Sequence, residues 1–285
     1  MLLRALLMNY LREHATEQIV QATRGASGQA QSGEPIAPMQ CDVAIVFTLG
    51  IEAGGLADLL TDVVTMRCST FVEHVGKLNG RPIVLVETGT GADAAAAVTR
   101  EAIALHKVSW IIAAGFGSGL RTELRRGHIL MADEIADVHG QHVSVDLHVR
   151  RDSLTSNTSL HVGRLLTVDH VLHEAEEKHR LGSNHDAMAC DMESLGVATE
   201  CHRQSVRFLS VKIISEGVDD ALPKEVERVI GQKTIAGKLG AAAGALWNRP
   251  SSVKDMWQLK EDAIKMSDRL AKFLIGVVGN LPPIQ

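Results

Sequence analysis

The chain has no excess of positive charge, no long apolar run and few cysteines, and each shortage narrows what it can do. Its 285 residues carry 29 Lys and Arg against 34 Asp and Glu, a formal net charge of −5. Nucleic-acid binding leaves a footprint of clustered Lys and Arg that contact phosphate, and no such cluster is present; a small-molecule partner is expected. No stretch is long and apolar enough to span a bilayer. The Leu-rich start, 1–20, is broken by Arg4, Asn9, Arg12, Glu13 and His14, which leaves too short a run for a secretory signal and suits an amphipathic helix instead. The cysteines, Cys41, Cys68, Cys190 and Cys201, form no C-x-x-C pair and sit in otherwise apolar stretches. They read as buried, reduced thiols and not as a disulfide framework or zinc site, which places the protein in the cytoplasm, away from membranes.

What is present is an ordinary globular mixture, 45% apolar and 22% charged. Residues 21–39 turn into Ala, Gly, Ser, Gln and Pro, too little apolar surface to order itself. Residues 1–40 are therefore an N-terminal helix and linker, and 41–285 form the main domain with extra C-terminal helices. From Asp42 onward short Val- and Ile-rich runs alternate with helical stretches, the pattern of an α/β fold. Strands are expected at 43–48, 83–88, 110–114, 129–132, 163–168 and 207–214, and helices at 92–106, 171–181, 192–204, 224–246 and 252–276. Runs such as Ile83-Val84-Leu85-Val86 are apolar without alternation, as in strands covered on both faces.

Several segments carry candidate chemistry. Gly89-Thr90-Gly91-Ala92-Asp93-Ala94 satisfies G-x-G-x-x-A between a strand and a helix, a loose dinucleotide fingerprint, but the carboxylate expected at the end of the next strand is missing. A tight strand-to-helix turn accounts for its glycines equally well. Ala114-Gly115-Phe116-Gly117-Ser118-Gly119-Leu120 follows another strand, at the carboxyl end where open α/β sheets bind ligands. Asp191-Met192-Glu193-Ser194 opens a helix whose apolar residues point inward. A carboxylate there is costly unless hydrogen-bonded, and the vicinal hydroxyls of a ribose would satisfy Glu193; complementing the helix dipole is the alternative. Ser215-Glu216-Gly217-Val218-Asp219-Asp220 closes a strand, where a buried Glu216 would suit a proton donor while Asp219 and Asp220 suit a solvated turn. Glu52 is a lone carboxylate in an apolar segment, either a helix-start charge or a poorly solvated base. Asp137, His139 and His142 lie close in sequence but lack a helical i, i+4 face for metal, and no metal is expected.

In order, these pieces resemble the purine nucleoside phosphorylase and uridine phosphorylase superfamily, and most closely its hydrolytic branch, the 5′-methylthioadenosine/S-adenosylhomocysteine nucleosidases. The resemblance runs from about Asp42 to about Asp220 and includes Glu52, the helix after Gly89-Thr90-Gly91, the glycine turn, Gly127-His128-Ile129 leading to Asp133-Glu134, Asp191-Met192-Glu193 and Ser215-Glu216. It implies a mixed, partly barrel-like central sheet flanked by helices, a homodimer or higher homo-oligomer, and no cofactor. It implies that Glu193 binds the ribose hydroxyls with Met192 against the sugar, Glu52 activates water, Glu216 protonates the purine and Ser215 steadies that acid. Phe116, Gly117, Val171 and His139 are then expected to border the nucleoside. Three positions depart from the family's pattern: Glu216 replaces an Asp, Val171 an aromatic that stacks on adenine, and Phe116 a small polar residue. The first-strand loop holds Glu52 and no basic residue, which favours hydrolysis over phosphorolysis. Arg121, Arg125 and Arg126 leave a phosphate-dependent reaction open, and the altered Glu216 and Val171 leave open a nucleoside-binding protein without catalysis.

Overall fold

The uninterrupted apolar runs lie side by side at the centre of a mixed sheet. In a computed structural model, which describes residues 40–68, 70–147, 159–220 and 252–282, β1 (Val43–Phe47) runs parallel between β4 (Arg81–Glu87) and β5 (Trp110–Gly119). Val43, Ala44, Ile45, Ile83, Val84, Leu85, Ile111 and Ile112 are fully buried there. The expected N-terminal helix and linker and the helix at 224–246 lie outside the described residues.

Beyond β5 the sheet curls. β6 (Ile129–Asp137), β8 (Leu160–Thr167), β9 (Ala189–Asp191) and β10 (Arg207–Glu216) follow in the spatial order β10-β6-β8-β9-β5, and β10 pairs again with β5. Those five strands close a ring, which is the barrel-like part of the fold. β1, β4, β3 (Val72–Leu78) and β2 (Thr61–Arg67) extend from it as an open arm, and β7 (His142–Ser144) pairs with β6.

Helices cover the faces. α2 (Ala92–His106) has its expected bounds, whereas α3 (Ala175–Asn184) starts four residues after the expected 171 and α4 (Ser194–Arg203) two after the expected 192. α5 (Ser252–Asn280) matches the C-terminal helix and runs slightly longer. α1 (Gly50–Ala57), rich in glycine, was not among the expected helices, though a helix start at Glu52 was one of its two readings. It is held by α5: Ser267 Oγ accepts from Gly55 N–H at 2.9 Å and donates to the Glu52 carbonyl at 3.1 Å. α2 and α4 touch through backbone, since a Cβ on Gly196 would stand 2.0 Å from the Ala92 carbonyl oxygen.

Two differences concern the site. The glycine segment 115–119 is not a turn after the strand but its continuation, with Gly115 at φ +146. β10 likewise continues through Ser215 and Glu216, with a register shift against β5 between Ile214 and Glu216. Such a bulge re-aims the side chain that follows it. The cysteines also differ from expectation: Cys41, Cys190 and Cys201 are buried, but Cys68, just beyond the edge strand β2, is exposed. Among the described residues no helix is long and apolar enough to cross a membrane.

Candidate active site

The carboxyl ends of β1, β5, β9 and β10 surround a cavity of about 300 Å³. Glu52, Phe116, Gly117, Val171, Met192, Glu193, Ser215 and Glu216, residues far apart in sequence, all line it. His139 does not; it is exposed on the turn between β6 and β7, its N–H donating to Asp137 Oδ1 at 2.9 Å. Asp137 also accepts from Gln141 N–H. Among the described residues no cluster of three or more His, Cys, Asp or Glu side chains is arranged to hold a metal ion.

Glu52 is both of the things its sequence position allowed, a first-turn carboxylate of α1 and a desolvated group facing the cavity. It is 5% exposed, and its Oε2 accepts N–H bonds from Thr48 at 3.0 Å and Leu49 at 2.8 Å. Oε1 accepts from Phe116 N–H at 2.8 Å. Gly115 makes that approach possible, since a Cβ there would lie 2.9 Å from Glu52 Oε1 and its φ is one that L side chains rarely adopt. Burial raises the Glu52 carboxyl above its ordinary value, while Lys212 and the three N–H donors oppose the shift.

Glu193 caps α4 and is also buried. Its Oε1 accepts from Gly91 N–H, at the start of α2, at 2.9 Å. The G-x-G segment thus supplies a backbone donor to a carboxylate. Burial first, and the neighbouring Asp191 second, push the Glu193 carboxyl up to about 7. Such a group readily exchanges its proton for hydrogen bonds from a ligand.

Sequence reasoning missed the ion that balances these acids. Lys212, inside β10 and 3% exposed, places Nζ 2.9 Å from Asp191 Oδ2. Burial opposes its charge, yet Asp191, Glu193 and Glu52 outweigh that and raise its pKa. Asp191 is fixed in turn by Thr167 Oγ at 3.0 Å and by Ser194 N–H. The available signal was a single Lys in the apolar run Phe208–Ile214, because a charge in a strand buried on both faces must find a partner.

At the opposite wall both oxygens of Glu216 are occupied by hydroxyls: Ser118 donates to Oε1 and Ser215 to Oε2. Ser215 was expected in that role; Ser118, inside the glycine segment, was not singled out. Val168, Val171 and Leu172 make an apolar side, and beside them stands His170, another residue the sequence reading passed over. The His170 ring is bonded to Asp169 at 2.7 Å, which raises its pKa. It lines the cavity next to Val171 and is more than half exposed. Leu49, Ala263 and Met266 close a further side, with Arg126 and Asp262 paired at 3.0 Å at its edge.

Of the arginines that left phosphate binding open, Arg121 is bonded to Asp186 at 2.7 Å and to the Ala187 carbonyl, and Arg126 to Asp262. The carboxylates facing the cavity thus outnumber the unpaired cations near them.

Known proteins resemble this chain in sequence and in fold. The chain is 25% identical to the 5′-methylthioadenosine/S-adenosylhomocysteine nucleosidase of Hydrogenovibrio crunogenus over 197 residues, 61% of this chain and 84% of that one. It is 24% identical to the Staphylococcus haemolyticus enzyme of the same name over 211 residues, 67% and 92% of the two chains. Among solved structures, a mutant of the Helicobacter pylori nucleosidase with 5′-methylthioadenosine in its active site superposes with a TM-score of 0.64 at 18% identity, covering 85% of this chain and all of that one. Futalosine hydrolase of H. pylori superposes with a TM-score of 0.64 at 17% identity, covering 85% of this chain and 98% of that one. The profile of the phosphorylase superfamily matches residues 42–244, which span the whole carboxylate-lined cavity except its α5 side; the chain belongs to that superfamily.

Proposed function

We propose that the protein hydrolyses the N-glycosidic bond of a purine nucleoside, a 5′-substituted adenosine such as 5′-methylthioadenosine or S-adenosylhomocysteine. The observation that carries this reading is the pairing of two buried carboxylates with different environments. Glu52 is held by three backbone donors, and Glu193 is poised near neutrality beside it. Relatives named for that reaction supply the substrate class.

In the proposed reaction Glu193 accepts hydrogen bonds from the ribose hydroxyls, with Met192 against the sugar. As the bond from C1′ to the base breaks, its electron pair leaves with the purine, and Glu216 delivers a proton to a ring nitrogen. The sugar becomes oxocarbenium-like, and the buried carboxylates favour that positive charge over the neutral ground state. Water adds to C1′ and gives its proton to Glu52. Lys212 keeps Asp191, Glu193 and Glu52 from repelling one another without itself entering the cavity wall. Phosphate, a dianion, would meet Glu52 where a phosphorylase needs a cation.

The test is release of free adenine from 5′-methylthioadenosine in buffer without phosphate. Hydrolysis predicts full turnover there and no acceleration on adding phosphate. Strict dependence on phosphate would select phosphorolysis, and binding of the nucleoside without base release under either condition would select a non-catalytic binder.

A further inference from the structure

Lys178 is a lysine the reaction above does not use, and it is completely buried. It lies on α3, whose place is set by contact of Gly182 with the Leu120 backbone, where a Cβ would come within 2.4 Å of the carbonyl oxygen. Lys178 Nζ donates to the Asp220 carbonyl at 2.8 Å and to the Gly217 carbonyl at 3.3 Å, and it stands 4.0 Å from Glu216 Oε1. A buried ammonium is costly unless its donors are met, and an apolar side chain would pack α3 without that cost. Here three acceptors surround one cation, and all belong to the strand end and turn 216–220.

We propose that Lys178 is a positioning residue that fixes Glu216 and the turn after it as one unit and holds a positive charge beside the carboxylate left when the base is protonated. The inference rests on Glu216 being the proton donor. When the proton passes from Glu216 to the ring nitrogen and the glycosidic electrons leave with the base, the new carboxylate finds its counter-ion already in place. Nothing has to move in from solvent. The next residue, His179, binds Asp219 at 2.8 Å, and Asp220 closes the turn by accepting from Gly217 N–H at 2.8 Å. α3 therefore grips the turn twice, from inside through Lys178 and from outside through His179.

The other groups around Glu216 do not duplicate the charge. Ser118 and Ser215 donate neutral hydroxyls. From β9 comes the Cys190 thiol, which burial first and the Glu216 charge second push up. Asp191 beside it is neutralised by Lys212, and Asp220 in the turn is acidic. Lys178 is the cation within ion-pair distance of Glu216 among the described residues.

The test compares Lys178→Met with Lys178→Gln, which keeps a donor for the turn carbonyls but no charge. Each is measured across pH on 5′-methylthioadenosine and on the nitrophenyl glycoside of 5-methylthioribose, whose leaving group needs no proton. An opposite charge at this distance stabilises an ionised carboxylate. Removing it leaves the carboxylate that forms on base protonation without its counter-ion. Both variants are expected to lose about tenfold in kcat on the nucleoside and to carry the alkaline limb of kcat up by about one pH unit. Turnover of the nitrophenyl glycoside should be kept. An unmoved limb in both variants would overturn the inference, as would full rescue by Gln, which would reduce Lys178 to a tie for the turn. Equal losses on both substrates would also overturn it. If the wild type releases no base at all, the proposed function falls and takes this inference with it; an active wild type with indifferent variants sinks the inference alone.

Discussion

The closed ring and the outer edge of the open arm, strand β2, are built by opposite rules. In the ring, charge is buried and paired: Lys212 meets Asp191 inside β10 and β9, and Glu216 is bracketed by two serines. At that edge β2 is exposed along all of its residues, Val64 is 58% exposed, and Lys77 and Asp62 pair in the open at 2.9 Å, whereas one strand further in Glu73 is buried against His106. β2 also carries a register shift against β3, one of the devices that blunt an edge strand. Closure of the ring is what gives the site a place to bury charges. The arm supplies the wall of apolar strands that the first turn of α1 stands on.

Four experiments sharpen or break that contrast. The largest effect is expected in the cavity: Glu52→Gln keeps the shape and one acceptor oxygen but cannot take a proton from water, so kcat should fall by about 10²- to 10⁴-fold, with a smaller drop in melting temperature because the amide NH2 faces a backbone N–H that the carboxylate satisfied. Steady-state kinetics with calorimetry of a bound nucleoside would check it, and a variant that keeps its rate would remove Glu52 from the reaction. Next is Lys212→Met, which leaves Asp191 and two further carboxylates buried without their cation. A loss of roughly 3–5 kcal/mol in urea unfolding is expected, and a variant as stable as wild type would mean that the ring does not depend on paired charge.

A smaller effect follows from Glu193. Its carboxyl is raised to about 7 in the free protein, and only the ionised form offers acceptors to both ribose hydroxyls. Nucleoside affinity should therefore rise with pH through that value, by about tenfold between about pH 6 and about pH 8. Glu193→Gln should flatten the dependence, and isothermal titration across that window decides the matter. Smallest of all is Val64→Lys on the exposed edge, expected to change stability by no more than about 0.5 kcal/mol and to leave turnover untouched. A large loss there would mean that the edge strand is not the inert region its exposure indicates.

The same contrast explains what was legible beforehand. β1, β4 and β5 are buried on both faces, so their Val and Ile runs announce them without any tertiary knowledge. β2 and β3 are interrupted by Asp62, Arg67, Glu73, His74 and Lys77, and neither apolar run nor clean alternation marks them. β9 is three residues long and is a strand only because β5 and β8 flank it. The acidic members of the site were visible from their places: Glu52 alone in an apolar segment, Glu193 at the start of an inward-facing helix, and Glu216 at the end of a strand. Lys212 was overlooked for the opposite reason, since a basic residue in a strand invites no catalytic motif. His170 was hidden by its neighbour: Val171 holds the position that the family's pattern marks, and His170, one position earlier, lines the cavity beside it. The extra reach of Glu216 is likewise taken up in a way that sequence alone does not show, by hydroxyls from two different strands.

The close crossing of α2 and α4 has an electrostatic side. Gly91 caps one helix and Glu193 the other, and both helices begin where Gly196 admits the Ala92 carbonyl. Two helix N-termini, each the positive end of a row of aligned peptide dipoles, therefore converge on a single carboxylate. That potential is carried by backbone and can neither titrate nor diffuse away. The breadth of the cavity at Glu193 is then a helix-crossing distance, set by Gly196, which has no side chain to widen it.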